Sequence, residues 1–240
     1  MKIALIGHGA MGQLVARLAR QKDDEVALTL TSEDAKRSSD DVVAELKKCE
    51  VAIDFSVAAA VPNNIAACML AGISLVEGTT GWKFDVNELR RTVIDADGSL
   101  IYGSNFSVGA QLFFRIAGSA AELFQHLDSY DAFIEEAHHK RKRDAPSGTA
   151  LQLGEIVANH FGREVPITST RAGHIPGTHR VGFDSSADQI TLEHVARSRE
   201  GFAQGALMAA RWILGRKGLY EFSRVFDEIL KSQPSAEETE

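Results

Sequence analysis

The sequence predicts an α/β fold: a doubly wound parallel sheet that carries an inserted α+β region. Three observations point there. A short apolar strand opens the chain and runs into Gly-x-Gly-x-x-Gly and a helix. Strand-like and helix-like segments then alternate as far as Tyr102, as right-handed βαβ crossovers require. After Phe106 the alternation gives way to a long apolar helix, hairpin-like strands and two closing helices. The α+β region therefore follows the parallel sheet.

Lys2 to Ile6 is the first buried strand, followed by Gly7-His8-Gly9-Ala10-Met11-Gly12. In a Rossmann-like reading the first glycine permits the turn. The second lets a pyrophosphate approach the backbone, and the third packs helix on strand. The helix runs on through Leu14, Val15, Leu18 and Ala19. The next strand, Glu25 to Thr31, ends near Glu33, where an acid would accept from the adenosine ribose hydroxyls. Asp34 adds negative charge that disfavours a 2′-phosphate, whereas Lys36 and Arg37 could bind one; the balance leans to NADH, with dual use open.

Alternation continues with a helix over Asp41 to Lys48, a strand over Val51 to Phe55 and a helix over Val61 to Ala71 with Pro62 in its first turn. Ile73 to Val76 is a strand leading to Gly78-Thr79-Thr80-Gly81. A helix over Asn87 to Ala96 precedes a strand over Leu100 to Tyr102, which leads to Gly103-Ser104-Asn105-Phe106. Ligands bind at the carboxyl ends of such strands, so both loops are candidates to meet a nicotinamide, or are ordinary βα turns.

In the insert, Val108 to Leu127 reads as one helix, apolar nearly all round through Leu112, Phe113, Ile116, Ala120, Leu123 and Phe124, and so as buried between layers. Tyr130 to Ala137 is a strand, and the helix after it covers Thr149 to His160. Arg171 to His179 is a loop. Arg180 to Phe183 and Gln189 to Val195 flank a hairpin-like turn. Helices over Ala203 to Leu214 and Leu219 to Leu230 close the chain.

The densest chemistry lies between Glu135 and Ala150. If the strand continues, His138 and His139 point to opposite faces. Four cations follow, Lys140 to Arg143, and then Pro146-Ser147-Gly148-Thr149. Ser147 suits an N-cap, and the free N–H groups of Gly148 and Thr149 at the positive helix end would hold an anion. Two imidazoles, several cations and a helix N-terminus suit a small substrate with more than one carboxylate. Each part also has a plainer reading, as a structural histidine pair, a solvated basic loop and an ordinary capped helix.

The whole chain is acidic, with a net charge of −7, so a local basic cluster fits an anionic small ligand better than a nucleic acid. Aromatics for base stacking are absent around it. No apolar run nears the length of a membrane span. Met1 to Gly7 lacks the apolar segment and cleavage site of a signal peptide. Cys49 and Cys68 have no metal-binding spacing, so buried free thiols in a reducing cytoplasm are expected and no metal is. The polar, acidic tail from Ser232 to Glu240 is expected to fray.

Four motifs in order carry a resemblance: the glycine loop, Gly78-Thr79-Thr80, Ser104-Asn105-Phe106-Ser107-Val108-Gly109, and Glu136-Ala137-His138-His139 continuing through Lys142 and Asp144 to Pro146-Ser147-Gly148-Thr149-Ala150. Across nearly its whole length the chain resembles the 4-hydroxy-tetrahydrodipicolinate (dihydrodipicolinate) reductase family. The resemblance implies reduction of a cyclic imine dicarboxylate by NADH or NADPH in lysine and diaminopimelate biosynthesis. It implies His138 and Lys142 as catalytic residues and His139, Gly148 and Thr149 as substrate contacts. Gly7, His8, Gly9, Ala10, Met11 and Gly12 would hold the pyrophosphate and Glu33 the ribose. Gly78, Thr79, Thr80, Gly103, Ser104, Asn105 and Phe106 would flank the nicotinamide. It further implies residues 1–107 plus 200–240 as the nucleotide domain, 108–199 as a substrate and oligomerisation domain, and a homotetramer built through the substrate-domain sheet.

Three departures stand out. The glycine loop is one residue shorter than in many members and has Ala10-Met11 where they have Arg-Met; the loop before Arg171 is shortened; and Asp34 stands where some members have a base.

The general acid must hold a proton near pH 7, which lysine does as a residue type and histidine does with carboxylate charge nearby. The residues alone reach a nicotinamide reductase for a small polyanion. Another nicotinamide-dependent dehydrogenase of a small amino or carboxylic acid, or a nucleotide sensor without chemistry, would use the same glycine loop.

Overall fold

The computed structural model describes residues 1–34 and 37–233. Lys36, one of the cations considered for a 2′-phosphate, and the tail beyond residue 233 lie outside the described residues. The chain forms two compact units, one of Met1–Ser107 with the chain from Phe202 onward, the other of Val108–Gly201.

The first unit begins with strand β1 (Lys2–Ile6), whose Ile3, Ala4, Leu5 and Ile6 are all buried, as a strand covered on both faces requires. Helix α1 (Ala10–Arg20) follows the glycine loop, then β2 (Glu25–Leu30), α2 (Ser39–Leu46), β3 (Val51–Asp54), α3 (Val61–Ala71), β4 (Ser74–Glu77), α4 (Val86–Asp95) and β5 (Ser99–Tyr102). Gly7 has φ +91°, and a β-carbon there would lie 2.6 Å from the Phe55 carbonyl oxygen. At Gly12 a β-carbon would lie 2.1 Å from the Gly7 carbonyl oxygen, so helix and turn fit together only without one. Asp85 caps α4 by accepting from the Asn87 and Glu88 N–H groups.

The second unit holds α5 (Val108–Phe124), β6 (Asp131–His138), α6 (Gly148–Phe161), β7 (Ile167–Arg171), β8 (Gly177–Asp184) and β9 (Gln189–Ala196). Its sheet has the order β7-β6-β8-β9, with β6 and β7 parallel and the other pairs antiparallel. Phe113, Phe114, Leu153, Val157, Val181 and Phe183 belong to the core formed by α5, α6 and this sheet. A two-layer unit can bury only one face of α5. Leu112, Ile116 and Leu123 are therefore exposed, Leu123 by 77%, which corrects the expectation of a helix buried all round.

The chain re-enters the first unit within α7 (Glu200–Ile213) and finishes with β10 (Gly218–Glu221) and α8 (Phe222–Lys231). The completed sheet is all parallel in the order β2-β1-β3-β4-β5-β10. β1 lies between β2 and β3, so strand order reverses beside the glycine loop, where open α/β sheets bind ligands.

The last helix was expected from Leu219, but Leu219 pairs with Leu100 in the sheet and the helix starts at Phe222. Strand β10 is too short to show a period. The segment Arg171 to His179, expected as a loop, contributes its first residue to β7 and its last three to β8. Edge strand β7 escaped notice because Ile-Thr-Ser-Thr-Arg has a single apolar residue. Phe222, Phe226 and Ile229 of α8 are fully buried, at about 1.5–3 kcal/mol each, and anchor the returning segment.

Candidate functional site

In the first unit, a cavity of about 900 Å³ opens at the carboxyl ends of β1 and β2. Gly7, His8 and Gly9 line it, with Thr31, Asp34 and Arg37 on one side and Phe55, Ser56 and Asn64 on another. A β-carbon at Gly9 would meet nothing within 4 Å, so the loop presents bare backbone to open space. No side chain caps α1, which leaves its first N–H groups to an anion. These features fit a dinucleotide pyrophosphate.

Asp34 accepts from the Thr31 N–H at 2.8 Å and its hydroxyl at 3.1 Å, and Arg37 bonds both Asp34 (3.3 Å) and Glu45 (2.9 Å). The Thr31 backbone hydrogen bond and Arg37 hold the Asp34 carboxyl below its usual range despite some desolvation. Glu33 is exposed, and the cavity wall is formed by Asp34 rather than by it.

At the ends of β3 and β4, Asp54 and Glu77 are register neighbours, and both are buried. Asp54 accepts from Ser56 N–H (2.7 Å), Asn64 Nδ2 (2.7 Å) and the Thr79 hydroxyl (3.3 Å). Glu77 accepts from Thr79 N–H at 2.7 Å, while its Oε2 has no hydrogen-bond partner. Burial first, and then the Asp54 charge, push the Glu77 carboxyl up to about 9, so it holds a proton at neutral pH. The pair pins Ser56 and Thr79, each two residues beyond a strand end.

Of the remaining loop candidates, Gly78 packs on the Phe55 ring, and Thr79 is buried while Thr80 is exposed. Gly103 lies against Phe222 and Phe106, Ser104 is exposed, and Asn105 accepts from Ser107 N–H. The Phe106 ring is buried between Phe55 and Phe222, which leaves backbone rather than ring to meet a ligand.

In the second unit, strand alternation puts Glu136 and His138 on one face of β6. His138 Nδ1 lies 2.5 Å from Glu136 Oε2. Arg171, the register partner of His138 on β7, grips the same carboxylate with two bonds of 2.6 and 2.8 Å, and Ser147 N–H reaches it at 3.3 Å. Burial raises the Glu136 carboxyl, but its hydrogen bonds, led by those from Arg171, outweigh it and take the group down to about 2. Burial also lowers His138 by more than Glu136 raises it, so the free imidazole is neutral near pH 7.

Ser147 caps α6 by accepting from Ala150 N–H, as its sequence position suggested, and also bonds buried His179 Nε2 at 3.0 Å. Burial pushes His179 down to about 4. Glu136, His138 and His179 hold ligand-type atoms within 4.8 Å of one another. The carboxylate is already filled by four donors, one cation among them, so a metal would have to displace Arg171.

Lys142 reaches Asp144 at 2.9 Å, and Arg171 ties the Asp144 carbonyl to the same network. Gly148 starts α6, and a β-carbon there would meet nothing within 4 Å; Thr149 follows in the first turn, and His139 Nδ1 is buried without a partner. The sequence reading missed Glu136, Arg171, His179, Asp54 and Glu77 as site residues. Only Glu136 left a local sign, two residues before His138 on a strand.

A bare glycine loop at a strand-order reversal, with acid–base groups in a second unit, defines a class: a nicotinamide-dependent oxidoreductase. Family models described as dihydrodipicolinate reductase, N-terminus and C-terminus, match residues 1–106 and 109–226. A 4-hydroxy-tetrahydrodipicolinate reductase of Christiangramia forsetii is 35% identical, covering 97% of this chain and all of that one. One from Methanoregula boonei is 33% identical over 93% of this chain and 97% of its own. A solved structure described as dipicolinate-bound dihydrodipicolinate reductase from Paenisporosarcina sp. TG-14 has the same fold, with TM-score 0.78 at 22% identity over 94% of this chain and 99% of that one. The chain belongs to the dihydrodipicolinate reductase family.

Proposed function

We propose that this chain reduces 4-hydroxy-tetrahydrodipicolinate to tetrahydrodipicolinate, in lysine and diaminopimelate biosynthesis, as a soluble cytoplasmic homotetramer. The observation that carries the reading is the unbroken run from Glu136 to Thr149, in a chain matched to the family in both halves. It supplies the His138 imidazole, the Lys142 ammonium and the N–H groups of a helix N-terminus for a small dicarboxylate.

The reduced nicotinamide supplies the hydride. The chain's own residues do the rest. The loop from Gly7 to Gly12 holds the pyrophosphate, and Gly78 to Thr80 and Gly103 to Phe106 flank the nicotinamide. The N–H groups of Gly148 and Thr149 bind a substrate carboxylate, with His139 as a further contact. Lys142 or His138 delivers the proton that quenches charge developing beside the ring nitrogen. For the ribose, Asp34 shares the role expected of Glu33, because Asp34 lines the cleft. Arg37 is already engaged by two carboxylates, so NADH is favoured and NADPH is also used.

The test is a coupled assay. Pyruvate and aspartate semialdehyde are condensed in situ by the preceding synthase, NADH or NADPH is added in turn, and absorbance loss is followed. Fast oxidation, faster with NADH, is expected. Nucleotide binding without oxidation by either cofactor would overturn the substrate assignment.

A further inference from the structure

We propose that Glu136 and Arg171 are positioning residues for His138: together they decide which ring nitrogen carries the proton and which is presented to a ligand. Only the kinetic consequence of this proposal rests on the function proposed above.

The argument is geometric. Glu136 is buried, and its carboxylate receives four donors: two from Arg171 at 2.6 and 2.8 Å, Ser147 N–H at 3.3 Å and His138 Nδ1 at 2.5 Å. A carboxylate held ionised by a bidentate guanidinium can only accept, so Nδ1 must be the protonated nitrogen. That leaves Nε2 as the bare nitrogen of the neutral ring. No bond from a described residue occupies it, and Gly177 keeps carbon away: a β-carbon there would lie 3.1 Å from Nε2. In the free protein Nε2 therefore accepts, and it donates only after taking up a second proton.

Arg171 has a second effect. Besides the carboxylate it bonds the Asp144 and Thr170 carbonyls, at 2.6 and 2.8 Å, and Asp144 holds Lys142. One guanidinium thus links the imidazole's anchor to the loop bearing the other catalytic candidate. The charged and titratable groups around His138 are Glu136 on its own strand, Arg171 on β7, His179 edge-on from β8 at 5.1 Å and Lys142 on the following loop. His179 in turn faces His194 on β9. Of these Glu136 alone is an anion, so removing its charge must make His138 harder to protonate.

The experiment is nitrogen NMR on the full chain labelled with 15N-histidine. The His138 signals are assigned by their loss in His138→Gln. The wild type at pH 8 is expected to show a protonated Nδ1 and a bare Nε2. In Glu136→Gln, the His138 titration midpoint moves to lower pH and the two tautomers mix. In the coupled assay kcat falls roughly 100-fold or more, while KM for the nucleotide holds within about twofold.

If Glu136→Gln does not fold, Glu136→Gln with Arg171→Gln removes both charges and takes its place. A proton on Nε2 in the wild type overturns the proposal without any variant. So does a folded variant whose His138 tautomer and midpoint match the wild type. Correct tautomers in a protein that oxidises no cofactor would leave the positioning intact and remove the proposed substrate instead.

Discussion

Glu77 and Glu136 are the same residue type, 1% and 3% exposed, each near the end of a strand. One holds a proton up to about pH 9, and the other gives it up near pH 2. Burial acts on both in the same direction. Neighbours make the difference: Glu77 has a second carboxylate beside it, and Glu136 has a guanidinium gripping both oxygens. The charge of a buried acid is a property of the pair it belongs to. Each unit uses its acid accordingly. The neutral one in the first unit helps fix the turns beyond β3 and β4, and the ionised one in the second unit anchors an imidazole.

The comparison breaks most sharply at Arg171. Arg171→Met leaves the Glu136 carboxylate buried without its cation, and about 3–5 kcal/mol of stability should go. Urea unfolding at pH 7.5 measures it. A loss below about 1 kcal/mol would mean that the carboxylate finds another partner or sheds its charge cheaply.

Next comes Glu77. Its folded pKa lies above its unfolded value, so its contribution is fully present below about pH 4.5 and is lost as pH rises through about 9. Glu77→Gln cannot ionise and still accepts from Thr79 N–H through its amide oxygen. The variant should gain on the wild type as pH rises from 5 to 9, reaching a few kcal/mol at the top. Both tryptophans, Trp82 and Trp212, lie in the first unit, so their fluorescence follows this unit selectively. Parallel stability–pH curves for the two proteins would show that Glu77 is ionised throughout.

The smallest effect belongs to the half-buried counterpart, Asp34. Its pair with Arg37 is solvated, so Asp34→Asn should leave unfolding nearly unchanged. What should move is cofactor choice, with the NADH-to-NADPH ratio of kcat/KM falling by roughly tenfold or less. A ratio unchanged by the substitution would take Asp34 out of the ribose site.

Sequence alone showed the parallel sheet because each βα unit writes its own local pattern, with Gly7, Gly9 and Gly12 marking where a cleft forms. The Ser147 cap was readable for the same reason, while the roles proposed for His138 and Lys142 come from the family resemblance. The partners that set charge were not. Arg171 meets Glu136 across 35 residues of sequence, and Asp54 meets Glu77 through strand register. Neither pairing follows from a period. From Leu219 the strand β10 reads as helix, because Leu219 and Tyr220 suit either state until Leu100 is seen beside them.

The route of the chain also sets an order of events during synthesis. The second unit is one continuous stretch, complete once Gly201 has left the ribosome. The first unit starts earlier yet lacks its edge strand until Glu221 has emerged, and the anchoring side chains Phe222, Phe226 and Ile229 come later still. The half that is begun first is therefore finished last. Until then β5 offers an unpaired edge to any passing strand, and a nascent chain stalled between residues 202 and 218 would be at its most prone to aggregate.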